Sequence, residues 1–174
     1  NKARLGVKDV KKKGRVLVGF REKRKPYIAD IQRCEVLHPS VGERLHELAE
    51  LISHMNARAR IAQIEVAVGD DITVLVFRNL DPLSAEDRVR LTEYAQRTGL
   101  HVYLQPGGPD SIEVLWPERS TLYYRLPDQN SEVQFQATDF TQVNPAINRS
   151  MVPQALELLE LQESDTVLDL FCGL

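Results

Sequence analysis

The chain predicts an α+β domain built mainly on antiparallel sheet, followed by the truncated first unit of a doubly wound α/β domain. Three observations lead there. Through the first 137 residues, β-rich runs separated by short Gly, Lys, Asp and Pro turns outnumber helical patterns, and hairpin-linked strands form antiparallel sheet. Only two amphipathic helices interrupt them. After Gln142 the period changes to helix, turn and a continuous apolar run ending in Asp169-Leu170-Phe171-Cys172-Gly173, the way a buried parallel strand enters a glycine-bearing cofactor loop. The boundary is placed near residue 138, dividing the chain into 1–137 and 138–174.

Taken in order, alternation predicts a meander of strands at Ala3–Val7, Val16–Arg21 and Tyr27–Ile31, broken at Lys11-Lys12-Lys13-Gly14 and Lys25-Pro26. Ser40 with Glu43 reads as a capping box, and Val41, Leu45, Leu48, Ile52 and Met55 then follow at helical spacing. Ile61–Val68 and Ile72–Phe77 form a hairpin across Gly69-Asp70-Asp71. A second helix starts at Ser84, with Asp87 at the reciprocal capping position, and stops at Gly99. Strands at Leu100–Leu104, Ile112–Trp116, Leu122–Leu126 and Val133–Gln136 complete the first domain. A third helix carries Ile147, Met151, Ala155, Leu158 and Leu159, with Pro153 removing one donor inside it. Thr166–Leu170 is the expected parallel strand.

With 174 residues, 43% hydrophobic and 27% charged, the chain can bury one core, or one core and the start of another. No apolar run reaches the roughly 18 residues of a membrane span, and no charged-then-apolar leader opens the sequence. A soluble, cytoplasmic protein without a membrane partner is expected. Cys34 and Cys172, far apart in sequence, are expected as reduced thiols. The four histidines, 38, 46, 54 and 101, lack metal-ligand spacing. An asparagine at residue 1 and a final residue in mid-motif suggest a piece of a longer protein, whose orphan strand could pair with a second copy as an artefactual dimer. No obligate protein partner is evident.

The net charge of −3 is unevenly spread. Residues 1–25 hold eleven basic and two acidic residues, a balance of +9, and the other 149 residues carry −12. A phosphate-contacting edge would look like this, and so would a lysine-guarded edge hairpin. With Phe20 the only aromatic in residues 1–25, positioning contacts are expected there rather than base readout.

Several stretches combine: Lys2-Ala3-Arg4-Leu5, Val18-Gly19-Phe20-Arg21, Asp30 to Cys34, Asp81-Pro82-Leu83-Ser84, Phe140-Thr141-Gln142-Val143-Asn144 with Asn148, and Val167 to Gly173. Together they resemble the bacterial RNA (uracil-5-)-methyltransferases that use S-adenosylmethionine, above all the iron-sulfur branch acting on 23S ribosomal RNA. The pairing of Phe-x-Gln-Val-Asn with Asp-Leu-Phe-Cys-Gly is the specific part; either alone is weak.

The resemblance implies that residues 1–137 are a central RNA-binding domain and 138–174 the start of a Rossmann-like methyltransferase domain. It implies a S-adenosylmethionine pocket lined by Gln142 and Phe171, with Asp169, which orders its loop, and Gly173 also on the cofactor, and RNA contacts from Lys2, Arg4, Arg15, Phe140 and Asn144. Cys34 aligns with the last of four cysteines that hold a 4Fe-4S cluster in relatives possessing one, so the cluster is expected in the full-length parent and not in this chain. The catalytic cysteine and base of the family align with nothing in residues 1–174, so no catalytic residue is assigned and no turnover is expected. In that chemistry thiolate addition at uracil C6 makes C5 nucleophilic towards the methyl group, and a base then removes the C5 proton and eliminates the thiol. Competing readings are a non-catalytic RNA-binding module, a transfer RNA uracil-5-methyltransferase, and, last, a nicotinamide or flavin enzyme in which Gly173 opens a dinucleotide fingerprint.

Overall fold

A computed structural model describes residues 2–142, 144–170 and 173. Its main body is a six-stranded sheet ordered β2-β1-β3-β4-β5-β6, from β1 (Lys2–Val10), β2 (Arg15–Gly19), β3 (Ile61–Val68), β4 (Thr73–Asn79), β5 (His101–Leu104) and β6 (Glu113–Trp116). All neighbours run antiparallel except β4 and β5, which pair in parallel with Val74 opposite His101. That parallel pair requires a crossover, and α3 (Ala85–Thr98) supplies it. A separate hairpin joins β7 (Leu122–Leu126) to β8 (Ser131–Phe135).

The period-2 alternation of each strand sorts its side chains between two cores. Leu75 and Phe77 of β4, with Leu5, Val7, Ile64, Val102 and Leu104, pack under α2 (Leu45–Ser53) and α3. Val74 and Val76, with Ala67 and Tyr103, turn to the opposite face and meet Leu122 and Phe135 of the hairpin, and Ala137. Each fully buried Leu, Ile or Phe contributes about 1.5–3 kcal/mol. Ser84 caps α3 by accepting from the Asp87 N–H at 3.2 Å, and Gly99 ends it in the left-handed region at φ 73°. The Asp87 carboxylate does not reach back to Ser84 as a capping box would. It is fully buried and accepts the N–H groups of Asn56 and Ala57 at 2.8 and 2.9 Å, tying the loop after α2 to α3.

Three further sequence expectations need correction. Tyr27–Ile31 is not a strand: a single bridge, Arg21 to Ile28, joins it to the chain after β2, and Ile28 is used instead to fill the space over Gly6 and Gly19. The predicted helix from Ser40 is split into α1 (Pro39–Gly42) and α2. Pro39 starts the turn one residue early, and the Ser40 hydroxyl bonds His38 and Thr73 Oγ1 (3.0 Å) in place of a capping box with Glu43. Thr166–Leu170 forms no strand and is exposed. A strand exists only where a neighbour takes its N–H and C=O groups, and among the described residues none flanks it. The third helix, α4 (Pro145–Leu159), forms as expected with Pro153 inside, and it buries none of its residues. No helix among the described residues is long and apolar enough to cross a membrane.

Candidate cofactor cleft and nucleic-acid face

A cleft of about 340 Å³ lies where the β3–β4 turn, the β7–β8 hairpin and the start of α4 meet; Gly69, Asp70, Tyr124, Thr141, Gln142 and Asn148 are among the residues lining it. Gly69 permits the approach, since a Cβ there would stand 2.7 Å from the Tyr123 carbonyl oxygen. Asp70 then fixes it: its N–H donates to Tyr123 O at 2.9 Å, and its carboxylate accepts from the Arg125 N–H at 2.9 Å and Arg149 Nη2 at 2.8 Å. Arg149 Nε also donates to Arg125 O at 3.1 Å. This clip draws α4 onto the hairpin although the helix has no buried apolar face. Neither Asp70 nor Arg149 carried a local sequence signal, because the pair is separated by 79 positions.

Two neighbours give the cleft its chemistry. Thr141 is 7% exposed, and its hydroxyl finds no hydrogen-bond partner among the described residues, although buried hydroxyls are nearly always paired. Gln142 is exposed at the rim, with two amide donors and one acceptor to offer. Asn144, assigned to RNA by resemblance, caps α4 through its Oδ1, which accepts the Ile147 N–H at 3.2 Å. Asp169 and Gly173 are exposed and do not line the cleft; Phe171 lies outside the described residues. The structure therefore brings Gln142 together with Thr141, Asn148 and Arg149, and does not bring Asp169 or Gly173 to them.

Lys2, Arg4, Lys13 and Arg15 are each engaged within the protein. Lys2 is partly buried and donates to the carbonyls of Ala137 and Asp139 (2.6 Å to the latter), and burial lowers its pKa. It holds the chain after β8 against β1 and is not a free phosphate ligand. Arg4 pairs with Glu65 at 3.0 Å but keeps most of its side chain in solvent, and Arg15 donates twice to Asp30 at 2.8 and 2.9 Å. The Lys13 ammonium also bonds Asp30, holding that carboxyl below its ordinary pKa with help from Arg15, against a smaller opposing effect of desolvation. Phe140 is 75% exposed beside Lys2, Arg4 and Glu65, an aromatic face open to stacking.

Cys34 is free and half-buried, and its N–H donates to Gly42 O at 2.9 Å. Among the described residues no three His, Cys, Asp or Glu side chains are grouped to hold a metal. A single thiol does not fit a four-iron cluster.

No family model matches the chain. Along its whole length it is similar to curated 23S rRNA (uracil(1939)-C(5))-methyltransferases. Identity is 52% over 176 residues with that of Alcanivorax borkumensis, covering 100% of this chain and 40% of the relative. With that of Hahella chejuensis it is 50% over 175 residues, covering 99% and 39%, and with that of Nitrosococcus oceani 53% over 173 residues, covering 99% and 38%. The chain thus spans about two fifths of the length of these relatives. Among solved structures, its fold is similar to Pyrococcus abyssi tRNA (uracil-54, C5)-methyltransferase in complex with S-adenosyl-L-homocysteine, with a TM-score of 0.63 and 19% identity over 91% of this chain and 40% of that one.

Proposed function

We propose, from the membership of this chain in the 23S rRNA (uracil-5-)-methyltransferase family, that it is the part of such an enzyme that grips ribosomal RNA and begins the methyl-donor site. The observation that carries the reading is identity near 50% sustained from end to end with enzymes named for that reaction. Residues 1–137 are read as the RNA-binding unit and 138–174 as the opening of the methyltransferase domain, with the Asp70–Arg149 clip joining them.

The cleft suits the donor's chemistry. S-adenosylmethionine, when bound, supplies an electrophilic methyl group to uracil C5. This chain's part is to hold and orient it: the Gln142 amide suits the donor's amino acid or base edge, and the unpartnered Thr141 hydroxyl gives a buried point for a further hydrogen bond. Phe140 and Arg4, on the neighbouring surface, suit a splayed base and its phosphate. The test gives the full-length protein methyl-labelled S-adenosylmethionine with 23S rRNA lacking the modification, and with transfer RNA in parallel. Label at C5 of one ribosomal uridine is expected. Label on transfer RNA alone, or on neither, would overturn the reading.

A further inference from the structure

A groove at the far end of the sheet is not used by the cleft. Its walls are the β1–β2 turn, Lys11–Lys13, and the loop that carries Tyr27, and its volume is about 590 Å³. A second hollow of about 510 Å³ shares Lys8, Lys11 and Pro26 with it, so the two adjoin. Tyr27 is 63% exposed in a wall where Leu17 and Ile28 are buried. An exposed aromatic on an apolar floor is a stacking surface, and lysines around it supply charge for a phosphate backbone.

The acids nearby are already neutralised. Asp9 pairs with Arg58 at 2.8 Å, Glu22 with Lys25 at 3.5 Å, and Asp30 with Arg15 and Lys13. Lys8, Lys11, Lys12, Arg21, Lys23 and Arg24 are exposed and have no ion-pair partner among the described residues. On β1 the buried Leu5 and Val7 alternate with Arg4 and Lys8, which therefore share the face turned away from the helices. Arg4 beside Phe140 and Lys8 in the groove are about 13 Å apart at 3.3 Å per residue, so one strand of nucleic acid can follow β1 from the first to the second.

We propose that this groove binds a single-stranded stretch of RNA, with Tyr27 stacking a base and Lys8, Lys11 and Lys12 holding phosphates. The inference rests on the reading that the protein acts on RNA, and it adds a second RNA site remote from the cleft. The sequence suggested only backbone positioning here, because Tyr27 falls just beyond the basic run.

The test uses the full-length protein and a labelled single-stranded RNA of about 12 nucleotides, within the usual range of such sites, with a duplex of equal length beside it. Anisotropy is read at several salt concentrations. Tyr27→Ala should weaken single-strand binding at least about fivefold, as removal of one stacking ring does, while Tyr27→Phe restores it. Lys11→Ala with Lys12→Ala should lower the slope of log K against log salt by about 1.4, near 0.7 for each phosphate no longer neutralised. Unchanged affinity and slope, duplex bound as tightly as single strand, or a lysine variant that dimerises while still binding RNA normally would each overturn the groove; the last would make the lysines edge guards. Methyl transfer measured on the same samples separates the two readings. Normal transfer with inert groove variants refutes the groove alone, and groove effects without any transfer refute the enzymatic assignment alone.

Discussion

Gln142 and Thr141 show how a short polar stretch comes to line a cleft. Neither residue is unusual alone. What distinguishes them is that the clip around Asp70 turns them into one cleft, leaving a buried hydroxyl without a partner. The motif drew attention to Gln142 and Phe140 in the sequence, but not to Thr141. Nothing in the sequence pointed to Asp70 and Arg149, because a long-range ion pair leaves no periodic trace. For the related reason that charge says nothing of reach, the sequence did not show that the Lys2 ammonium bends into the backbone of 137 and 139. His101 is half-buried. Its Nδ1 bonds Ser120 Oγ at 2.6 Å, its ring meets Trp116 edge-on at 5.9 Å, and burial lowers its pKa. The unfolded ring titrates near 6.5, so below that pH the unfolded chain takes up the proton first. The stability His101 contributes is therefore complete above about pH 6.5 and is lost as pH falls through the lower folded value. Thermal melts of His101→Gln should show a shallower fall in Tm over that window than the parent; an identical fall would assign the pH dependence elsewhere.

Among the elements, those with strong periodicity formed as expected. β3, β4 and α3 match their predicted spans closely because alternation, capping and a glycine stop agree there. The failures mark tertiary competition. Tyr27–Ile31 has strand composition, but Ile28 is spent covering two glycines, and Pro39 reorganises the start of the first helix. The run at Thr166–Leu170 has the composition of a parallel strand without the neighbour that would make it one. The β7–β8 hairpin, in turn, depends on Gly69. Replacing Gly69 with Val would drive a branched side chain into the Tyr123 carbonyl and detach the hairpin from Ala67, Val74 and Val76. We expect a destabilisation of about 2–4 kcal/mol from strain and reduced burial, read by urea denaturation, with amide exchange accelerated first in β7 and β8. Exchange that rises uniformly over all six strands would show that the hairpin is not a separable layer.

Over the whole molecule, the sheet divides labour between its faces. Helices α2 and α3 close one face into the main core. The other holds the hairpin, the exposed Phe140 and Arg4, and the lysine groove. Unpaired lysines gathered on one surface steer a polyanion towards it. At one end of that surface lies the Gln142 cleft. The most direct test of its assignment is calorimetric titration of S-adenosylhomocysteine into the full-length protein and its Gln142→Ala variant. Removal of one or two hydrogen bonds predicts affinity weaker by about tenfold or more, with the melting temperature of the free protein unchanged because Gln142 is exposed. Equal affinity for the two proteins would contradict the assignment of this cleft to the methyl donor.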